Sequence, residues 1–274
     1  MGIRIWHQSF TVLGNLPPYA AALKEHFRKV ARADTEIVLH GMHEQTYKTN
    51  YPGNDIRYAY LQYLHGQQFV LGGIAAEEQG FDAYAIMSIP EPALRETRSL
   101  IDIPVVGYGE SSFLMAGMLG QRAGVLMFIE EMRPLIQENA EKLILPGRFA
   151  GAHYVGFSFN EVLKAFDDPA ALLDKFRASA RALIRAGADV IIPGEAPLCV
   201  LLARNGVNRI DEVPVLDAIG ATVKMAEAMV DLRRSCGVYA SRRGYFMDRP
   251  PRERVKELIE LYGISRLRPG ADQP

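Results

Sequence analysis

Three polar side chains, His7, Ser88 and Glu195, are the main candidates for acid/base chemistry in this sequence. Each follows a short apolar run of the kind that forms a buried strand, and Glu195 stands in Gly194-Glu195-Ala196-Pro197, where a strand should turn into a helix. A glutamate has an ordinary pKa of about 4.3 and becomes a better general base when it is partly buried. Glu195 would therefore be the general acid/base, while His7 and Ser88 polarise or protonate the substrate.

Each of these residues also has a purely structural explanation. A histidine after a strand often makes only structural hydrogen bonds, and Ser88 could cap the helix that follows it. Glu195 could simply stabilise a helix N-terminus. The glycine before Glu195 favours the functional interpretation, because glycine lets the backbone approach a ligand closely.

A second set of polar residues would contact the substrate, because amides and hydroxyls at one sheet edge can hold carboxylate or amide oxygens. Glu110-Ser111-Ser112 is typical of a first helical turn, whose free N–H groups can receive an anion. One arginine of the basic turn at Ser241–Tyr245 could reach the same place. The predicted substrate-binding residues are Gln8, His40, Glu91, Glu110, Ser111, Ser112 and Arg243.

Two histidines and a carboxylate at neighbouring strand ends allow a different chemistry. His7, His40 and Glu195 would form a two-histidine, one-carboxylate set with an open position for water, as in a metal-assisted hydrolase. That alternative implies one divalent metal, whereas the acid/base hypothesis implies no cofactor. The sequence has no Gly-rich phosphate loop, dinucleotide fingerprint or His-Glu-x-x-His pattern, and its two cysteines are too few for a four-cysteine zinc site.

Short β-rich runs alternate with longer amphipathic stretches, which is typical of an α/β protein with parallel sheets. Ligands of such sheets bind outside the carboxyl ends of the strands, so polar residues after each strand should share one edge. The predicted strands are Ile3–Trp6, Glu36–Leu39, Ala83–Met87, Pro104–Gly107, Ala123–Phe128, Tyr154–Phe159, Val190–Pro193 and Pro214–Leu216. The predicted helices include Pro18–Ala31, Asp55–Gln79, Met132–Leu143, Pro169–Ala186, Thr222–Ser235 and Pro251–Tyr262.

The sequence also contains two similar stretches. Asp82 and the strand after it recur at Asp189, 107 positions later, and the Ile103–Val106 run recurs at Val213–Leu216 with its proline 110 positions later. Two matches at nearly one offset indicate a duplicated βα unit and two similar lobes. Ser88 and Glu195 would then lie opposite each other across the cleft between the lobes.

Composition and charge exclude several classes of protein. The chain has 49% hydrophobic and 23% charged residues, which is ordinary for a globular protein. Its net charge of -1 gives no general attraction to nucleic acid or anionic membrane. No apolar run approaches the ~20 residues of a membrane span, and two cysteines cannot form a disulfide framework. We therefore expect a cytoplasmic protein whose partner is a small-molecule substrate.

From Ile3 to Gly244 the order and spacing of several stretches resemble the aspartate/glutamate racemase superfamily, nearest its hydantoin racemase branch. The best matching stretches are Asp82–Leu94, Ile103–Glu110, Gly187–Gly194 and Val213–Val215. The resemblance implies two flavodoxin-like α/β lobes related by a pseudo-twofold axis, an active site between them, no cofactor and a homo-oligomer. The expected division places residues 1–120 and 213–274 in a discontinuous first lobe and residues 121–212 in the second.

In that family a pair of cysteines normally exchanges protons with the two faces of the substrate carbon, and the resemblance places Ser88 and Glu195 at their positions. It also places His7 where the family has asparagine, and Met127-Phe128 where it often has threonine. A thiol with a pKa of about 8.5 can exchange protons in both directions, whereas a serine hydroxyl is no base at neutral pH without activation.

We therefore predict a cofactor-independent acid/base enzyme that acts on a small carboxylate or a hydantoin-type cyclic amide. Hydrolysis or lyase chemistry fits one base better than two-thiol racemisation does. A racemase or isomerase with non-cysteine bases and a non-catalytic metabolite-binding protein stay open as alternatives.

Overall fold

The computed structural model describes residues 2–269, and the first of its two parallel sheets is built from the N-terminal part of the chain. The order of its four strands is β2-β1-β3-β4, with all three neighbouring pairs parallel. The elements are β1 (Ile3–Gln8), α1 (Pro17–Val30), β2 (Thr35–His40), α2 (Gly53–Ile56), α3 (Ala59–Glu78), β3 (Ala83–Ile86), α4 (Leu94–Leu100), β4 (Val105–Gly107) and α5 (Tyr108–Leu119).

The second sheet has the parallel order β6-β5-β7, and Val215 extends it through a parallel bridge to Ile191. This order repeats that of the first sheet, with Val215 in the place of β4. The elements are β5 (Ala123–Met127), α6 (Arg133–Leu143), β6 (Phe149–Tyr154), α7 (Phe159–Lys164), α8 (Ala170–Arg185), β7 (Val190–Pro193), α9 (Ala196–Arg204), β8 (Arg209–Ile210) and β9 (Val213–Pro214).

Two further helices, α10 (Ala218–Cys236) and α11 (Arg252–Leu261), follow the second sheet. The Asp217 side chain accepts the Gly220 N–H and so caps α10, which packs on α5 and on strands of the first sheet. Residues 213–216 therefore run along the second sheet before α10 returns the chain to the first. The exact division into lobes stays a prediction, and its ends at residues 1 and 270–274 lie outside the described residues.

The two aspartates of the repeated stretches make the same contacts in the two sheets. Asp82 accepts the N–H of Arg4 at 2.9 Å and donates its own N–H to the Arg4 carbonyl. Asp189 accepts the N–H of Arg122 at 2.7 Å and likewise donates to the Arg122 carbonyl. Each pair joins the third strand of a sheet to the start of the strand beside it. The predicted α/β class with two flavodoxin-like lobes and parallel sheets is confirmed.

One predicted strand, Tyr154–Phe159, is wrong. The strand ends at Tyr154, and Phe159 is already the first residue of α7. Ser158 starts this helix because its side chain and that of Glu161 accept each other's backbone N–H in a capping box. The apolar residues Val155 and Phe157 lie in a loop that packs against the core. Their hydrophobicity therefore indicates burial and not a strand. Within residues 2–269, no helix combines the length and apolarity that a membrane crossing requires.

Candidate active site

One small cavity, about 50 Å³ in volume, lies where the carboxyl ends of the two sheets face each other. The loops after β1 and β3 line it from the first lobe, and the loops after β5 and β7 line it from the second. Its volume is several times the roughly 10–15 Å³ needed for one water molecule. Its polar lining residues are Ser9, Thr11, Tyr19, Tyr51, Ser88 and Glu195, among a larger apolar set.

Ser88 and Glu195 enter this cavity from equivalent positions, because each stands two residues after the third strand of its own sheet. The duplicated strand order therefore brings a hydroxyl and a carboxyl to one cavity from opposite lobes. Among residues 2–269 the Ser88 side chain has no hydrogen-bond partner, so its hydroxyl is free to bind a ligand.

The two oxygens of Glu195 have different surroundings. Oε1 accepts the backbone N–H groups of Phe128 and Ile129 at 2.9 and 3.2 Å. Oε2 is buried and has no protein partner among the described residues. Only 8% of the residue is exposed, and this burial raises its pKa from 4.5 to about 8, although the two N–H groups oppose the shift. At neutral pH the side chain is therefore largely a carboxylic acid that can release or regain a proton.

Gly194 allows this geometry. A Cβ at residue 194 would lie 2.7 Å from the Met127 Cβ and 3.1 Å from the Leu126 carbonyl oxygen. Only a glycine lets the turn after β7 lie this close to β5, which is what brings Glu195 to the N–H groups that follow β5. Glu195 then occupies the N-cap position of α9, but its side chain makes no hydrogen bond to the helix, so the carboxyl group is not used as a helix cap.

Aromatic rings cover the cavity. Tyr51 stacks on Phe159 with ring centroids 5.0 Å apart and planes at 18°, which joins the first lobe to the start of α7. Tyr51 lines the same cavity as Glu195, and its burial raises the pKa of its phenol. Ser9 and Thr11, which also line the cavity, share a 2.8 Å hydrogen bond.

His7 does not line this cavity. Strand β1 extends to Gln8, two residues beyond its predicted end, so His7 pairs beside Leu39 and Ala85 inside the sheet. The ring lies 5.4 Å from that of Phe27, and neither ring nitrogen has a partner among the described residues. Burial, with a smaller effect of His40, lowers its pKa from 6.5 to about 3, so it is neutral at every physiological pH. His7 is therefore a core residue, and its position does not support the predicted catalytic role.

This burial predicts that His7 makes the protein sensitive to acid. Below pH 6.5 His7 binds a proton in the unfolded chain, but in the folded protein it binds one only below about pH 3. The free energy of unfolding therefore falls as the pH drops from 6.5 to about 3. His7→Leu should remove this loss, which amounts to about 3 kcal/mol between pH 7 and pH 4. Urea unfolding of both proteins at the two pH values measures it. His153→Leu, at an exposed position on β6, is the control, and equal acid sensitivity of all three proteins would contradict the prediction.

Gln8 and His40 also belong to the first sheet and not to the cavity. The Gln8 Oε1 accepts the Trp6 Nε1–H at 3.0 Å, and its Nε2 donates to the Gly41 carbonyl at 3.1 Å. His40 stacks on Trp6 with ring centroids 3.3 Å apart, and burial lowers its pKa to about 4. Both side chains hold β1 to the end of β2, so the structure gives them a packing role.

Glu91 and Glu110 do not line the cavity, and the two residues contact each other. The Glu91 carboxylate accepts the Glu110 N–H at 2.6 Å, and burial raises the Glu91 pKa to about 8. The first turn of α5 was expected to offer free N–H groups to a substrate anion. One of them, the Glu110 N–H, is already bonded to Glu91. Glu110 itself forms an ion pair with Arg98.

The remaining predicted binding residues also lie away from the cavity. Ser111 and Ser112 are fully buried in α5, and the Ser112 hydroxyl donates to the Tyr108 carbonyl at 2.6 Å. Arg243 is exposed on the turn after α10, whereas its neighbour Arg242 donates to the Arg98 carbonyl.

The metal alternative is not supported by the positions of its ligands. His40 is stacked on Trp6, His7 faces Phe27, and Glu195 alone reaches the cavity. Within the described part of the chain, no three His, Cys, Asp or Glu side chains are grouped to hold an ion. The residues present do not fit the predicted two-histidine, one-carboxylate centre.

Three polar cavity residues were missed by the sequence analysis: Ser9, Thr11 and Tyr19. Ser9 and Thr11 depend on where β1 ends. When the strand is two residues longer than predicted, the first residue after it is Ser9 and not His7. Tyr19 comes from helix α1, and no local pattern distinguishes it from a packing residue.

The sequence pattern of the Asp/Glu/hydantoin racemase family matches residues 19–226, well over half of the chain. This chain belongs to that family. A hydantoin racemase from Pseudomonas sp. (strain NS671) is 29% identical over 210 residues, which cover 76% of this chain and 80% of that protein. A hydantoin racemase from Rhizobium meliloti is 26% identical over 163 residues, covering 56% and 62% of the two chains. The predicted family and its hydantoin branch are confirmed.

Several solved structures share the fold of this chain. An allantoin racemase from Klebsiella pneumoniae superposes with a TM-score of 0.73 at 24% identity and covers 92% of this chain and 95% of its own. A variant of arylmalonate decarboxylase has a TM-score of 0.51 at 14% identity, covering 90% of this chain and 99% of its own.

Neither cysteine of this racemase-family chain lines the cavity. Cys199 is buried in the first turn of α9, with its sulfur 3.6 Å from an Asp217 carboxylate oxygen. Burial, and then the charge of Asp217, raises the Cys199 pKa well above its ordinary value. Cys236 is exposed at the end of α10. The titratable group at the cavity is Glu195.

Proposed function

We propose that this protein is a cofactor-independent enzyme in which Glu195 alone supplies the acid/base group. One observation supports this most strongly: Glu195 reaches the cavity between the lobes with Oε1 held by two N–H groups and Oε2 unpartnered. A held carboxyl group with one free oxygen has a fixed direction for proton transfer.

The pKa of Glu195, about 8, suits this role because it lies close to the value of an ordinary thiol. In its ionised form the carboxylate takes a proton from the substrate carbon, and the electrons of the C–H bond move to the adjacent carbonyl oxygen. Alternatively, the carboxylate takes a proton from a water molecule as that water attacks the carbonyl carbon, and the protonated Glu195 then gives the proton to the ring nitrogen as the C–N bond breaks. Ser88, which enters from the other lobe, is placed to donate a hydrogen bond to the substrate.

The cavity lining favours an uncharged substrate. Among the described residues that line it, none is Lys, Arg or His, so no positive side chain is present to balance a carboxylate. A cyclic amide of the hydantoin type is neutral and offers carbonyl and N–H groups to hydroxyls and backbone atoms. We therefore favour a hydantoin-type amide over a small carboxylate, and hydrolytic or lyase chemistry from one face over two-thiol racemisation.

A second candidate is stereoinversion with non-cysteine bases. The names of the hydantoin and allantoin racemases in the family favour it. It requires a proton donor on the face opposite Glu195, where Ser88 has no activating partner among residues 2–269. A lyase is also known on this fold, as the arylmalonate decarboxylase variant shows by its name.

One experiment separates these reactions. The enzyme is incubated in D₂O with single enantiomers of 5-methylhydantoin and of allantoin, and proton NMR and chiral chromatography follow each substrate. We expect either loss of the C5–H signal or ring opening. Loss of the C5–H signal should be faster than any racemisation of the substrate. Racemisation at the rate of deuterium uptake would support stereoinversion instead. Reversible binding with no exchange and no new product would contradict an enzymatic function.

A further inference from the structure

Tyr19 brings a second polar group to the cavity from helix α1. It is the third residue of this helix, whose start is set by Pro17 and Pro18. Its ring is only 1% exposed and lies 6.3 Å, between centroids, from Phe166 of the second lobe. The side chain is therefore held in place between the lobes and lines the cavity that contains Glu195.

The hydroxyl of Tyr19 differs from those of the other deeply buried tyrosines. The Tyr84 hydroxyl donates to the Phe69 carbonyl at 2.9 Å, and the Tyr108 hydroxyl donates to the Pro193 carbonyl at 2.6 Å. The Tyr19 hydroxyl is buried without a protein partner in the described part of the chain. A buried hydroxyl that lacks a partner destabilises the folded state, so its retention calls for a ligand or solvent atom beside it.

Glu195 Oε2 is a second unpartnered buried atom at the same cavity, and it comes from the opposite lobe. A ligand with two polar atoms would satisfy both groups at once. Burial raises the Tyr19 pKa well above its ordinary value, so the phenol stays a hydrogen-bond donor at all working pH values.

We propose that the Tyr19 hydroxyl donates a hydrogen bond to an oxygen of the bound substrate and so orients the substrate against Glu195. The proposal rests on the proposed function, because it takes Glu195 as the group that reacts. Tyr19 contacts the substrate and takes no part in proton transfer from carbon.

The test compares Tyr19→Phe with Tyr84→Phe, which removes a partnered hydroxyl far from the cavity. Thermal unfolding and steady-state kinetics on 5-methylhydantoin are measured for both variants and the wild type. For Tyr19→Phe we expect KM to rise about threefold to tenfold with a smaller change in kcat, and Tm to stay or rise. For Tyr84→Phe we expect Tm to fall by about 2–4 °C with KM unchanged.

A purely structural Tyr19 would give the reverse result, a lower Tm and an unchanged KM, and this would overturn the proposal. A crystal structure of the free wild-type protein tests it without any turnover. We expect an oxygen of a water or bound solute within hydrogen-bond distance of the Tyr19 hydroxyl, and a protein group in that place would overturn the proposal. A fully active Glu195→Gln variant would instead refute the proposed function, so the two failures are distinguishable.

Discussion

Replacing Glu195 by Gln is expected to lower turnover by about 10²–10⁴-fold, the usual contribution of a general acid/base group. Glutamine has the size of glutamate, and its amide oxygen can still accept the N–H groups of Phe128 and Ile129. It cannot take up or release a proton in the working pH range. Substrate binding should therefore persist while kcat collapses, which steady-state kinetics and a direct binding titration measure together.

The matched control is Glu227→Gln. Glu227 is also buried, but it accepts the Arg32 N–H and pairs with Lys224 on the far side of α10, away from the cavity. This variant should lose stability, because it removes the charge of a buried carboxylate that pairs with Lys224, while its folded fraction keeps wild-type kcat. If Glu195→Gln retained wild-type turnover, Glu195 would not be the acid/base group.

Replacing Ser88 by Cys is expected to add stereoinversion, raising the racemisation rate at least tenfold over the wild type. A thiol has an ordinary pKa of about 8.5, so it can exchange protons in the neutral range, whereas a serine hydroxyl without an activating base cannot. With Glu195 entering from the other lobe, the cavity would then contain two titratable groups of similar pKa. Chiral chromatography of single-enantiomer 5-methylhydantoin measures the gain.

Ser88→Ala is the control for this gain, because it removes the hydroxyl without introducing a titratable group. It should lose part of the wild-type activity and gain no inversion. Equal racemisation rates in the alanine and cysteine variants would mean that residue 88 does not reach the reacting carbon.

The positions of Ser88 and Glu195 were predictable because they depend on strand order. Parallel sheets bring their carboxyl ends to one edge, and a repeat of 107 residues puts the two side chains at equivalent points of two sheets. The order of the strands and the spacing of the repeat can both be read from the sequence alone. The fold class follows from the same regularities.

The positions of His7 and His40 were not predictable, because they depend on where a strand stops. A difference of one or two residues moved both imidazoles from the predicted strand ends into the sheet. Strand ends are set by pairing with neighbours far along the chain, which local hydrophobicity does not report.

The sequence by itself determined the class of fold, the family, and the equivalent positions of Ser88 and Glu195 in the two lobes. Only the tertiary structure decided that Glu195 is buried with one oxygen held and one free, that its pKa lies near 8, and that Tyr19 and Tyr51 complete the cavity. The physical reason is that the proton affinity of a carboxyl group is set by the atoms packed around it. Those atoms come from Phe128 and Ile129 of the same lobe and from first-lobe residues such as Tyr51, all of which are far from Glu195 in the sequence.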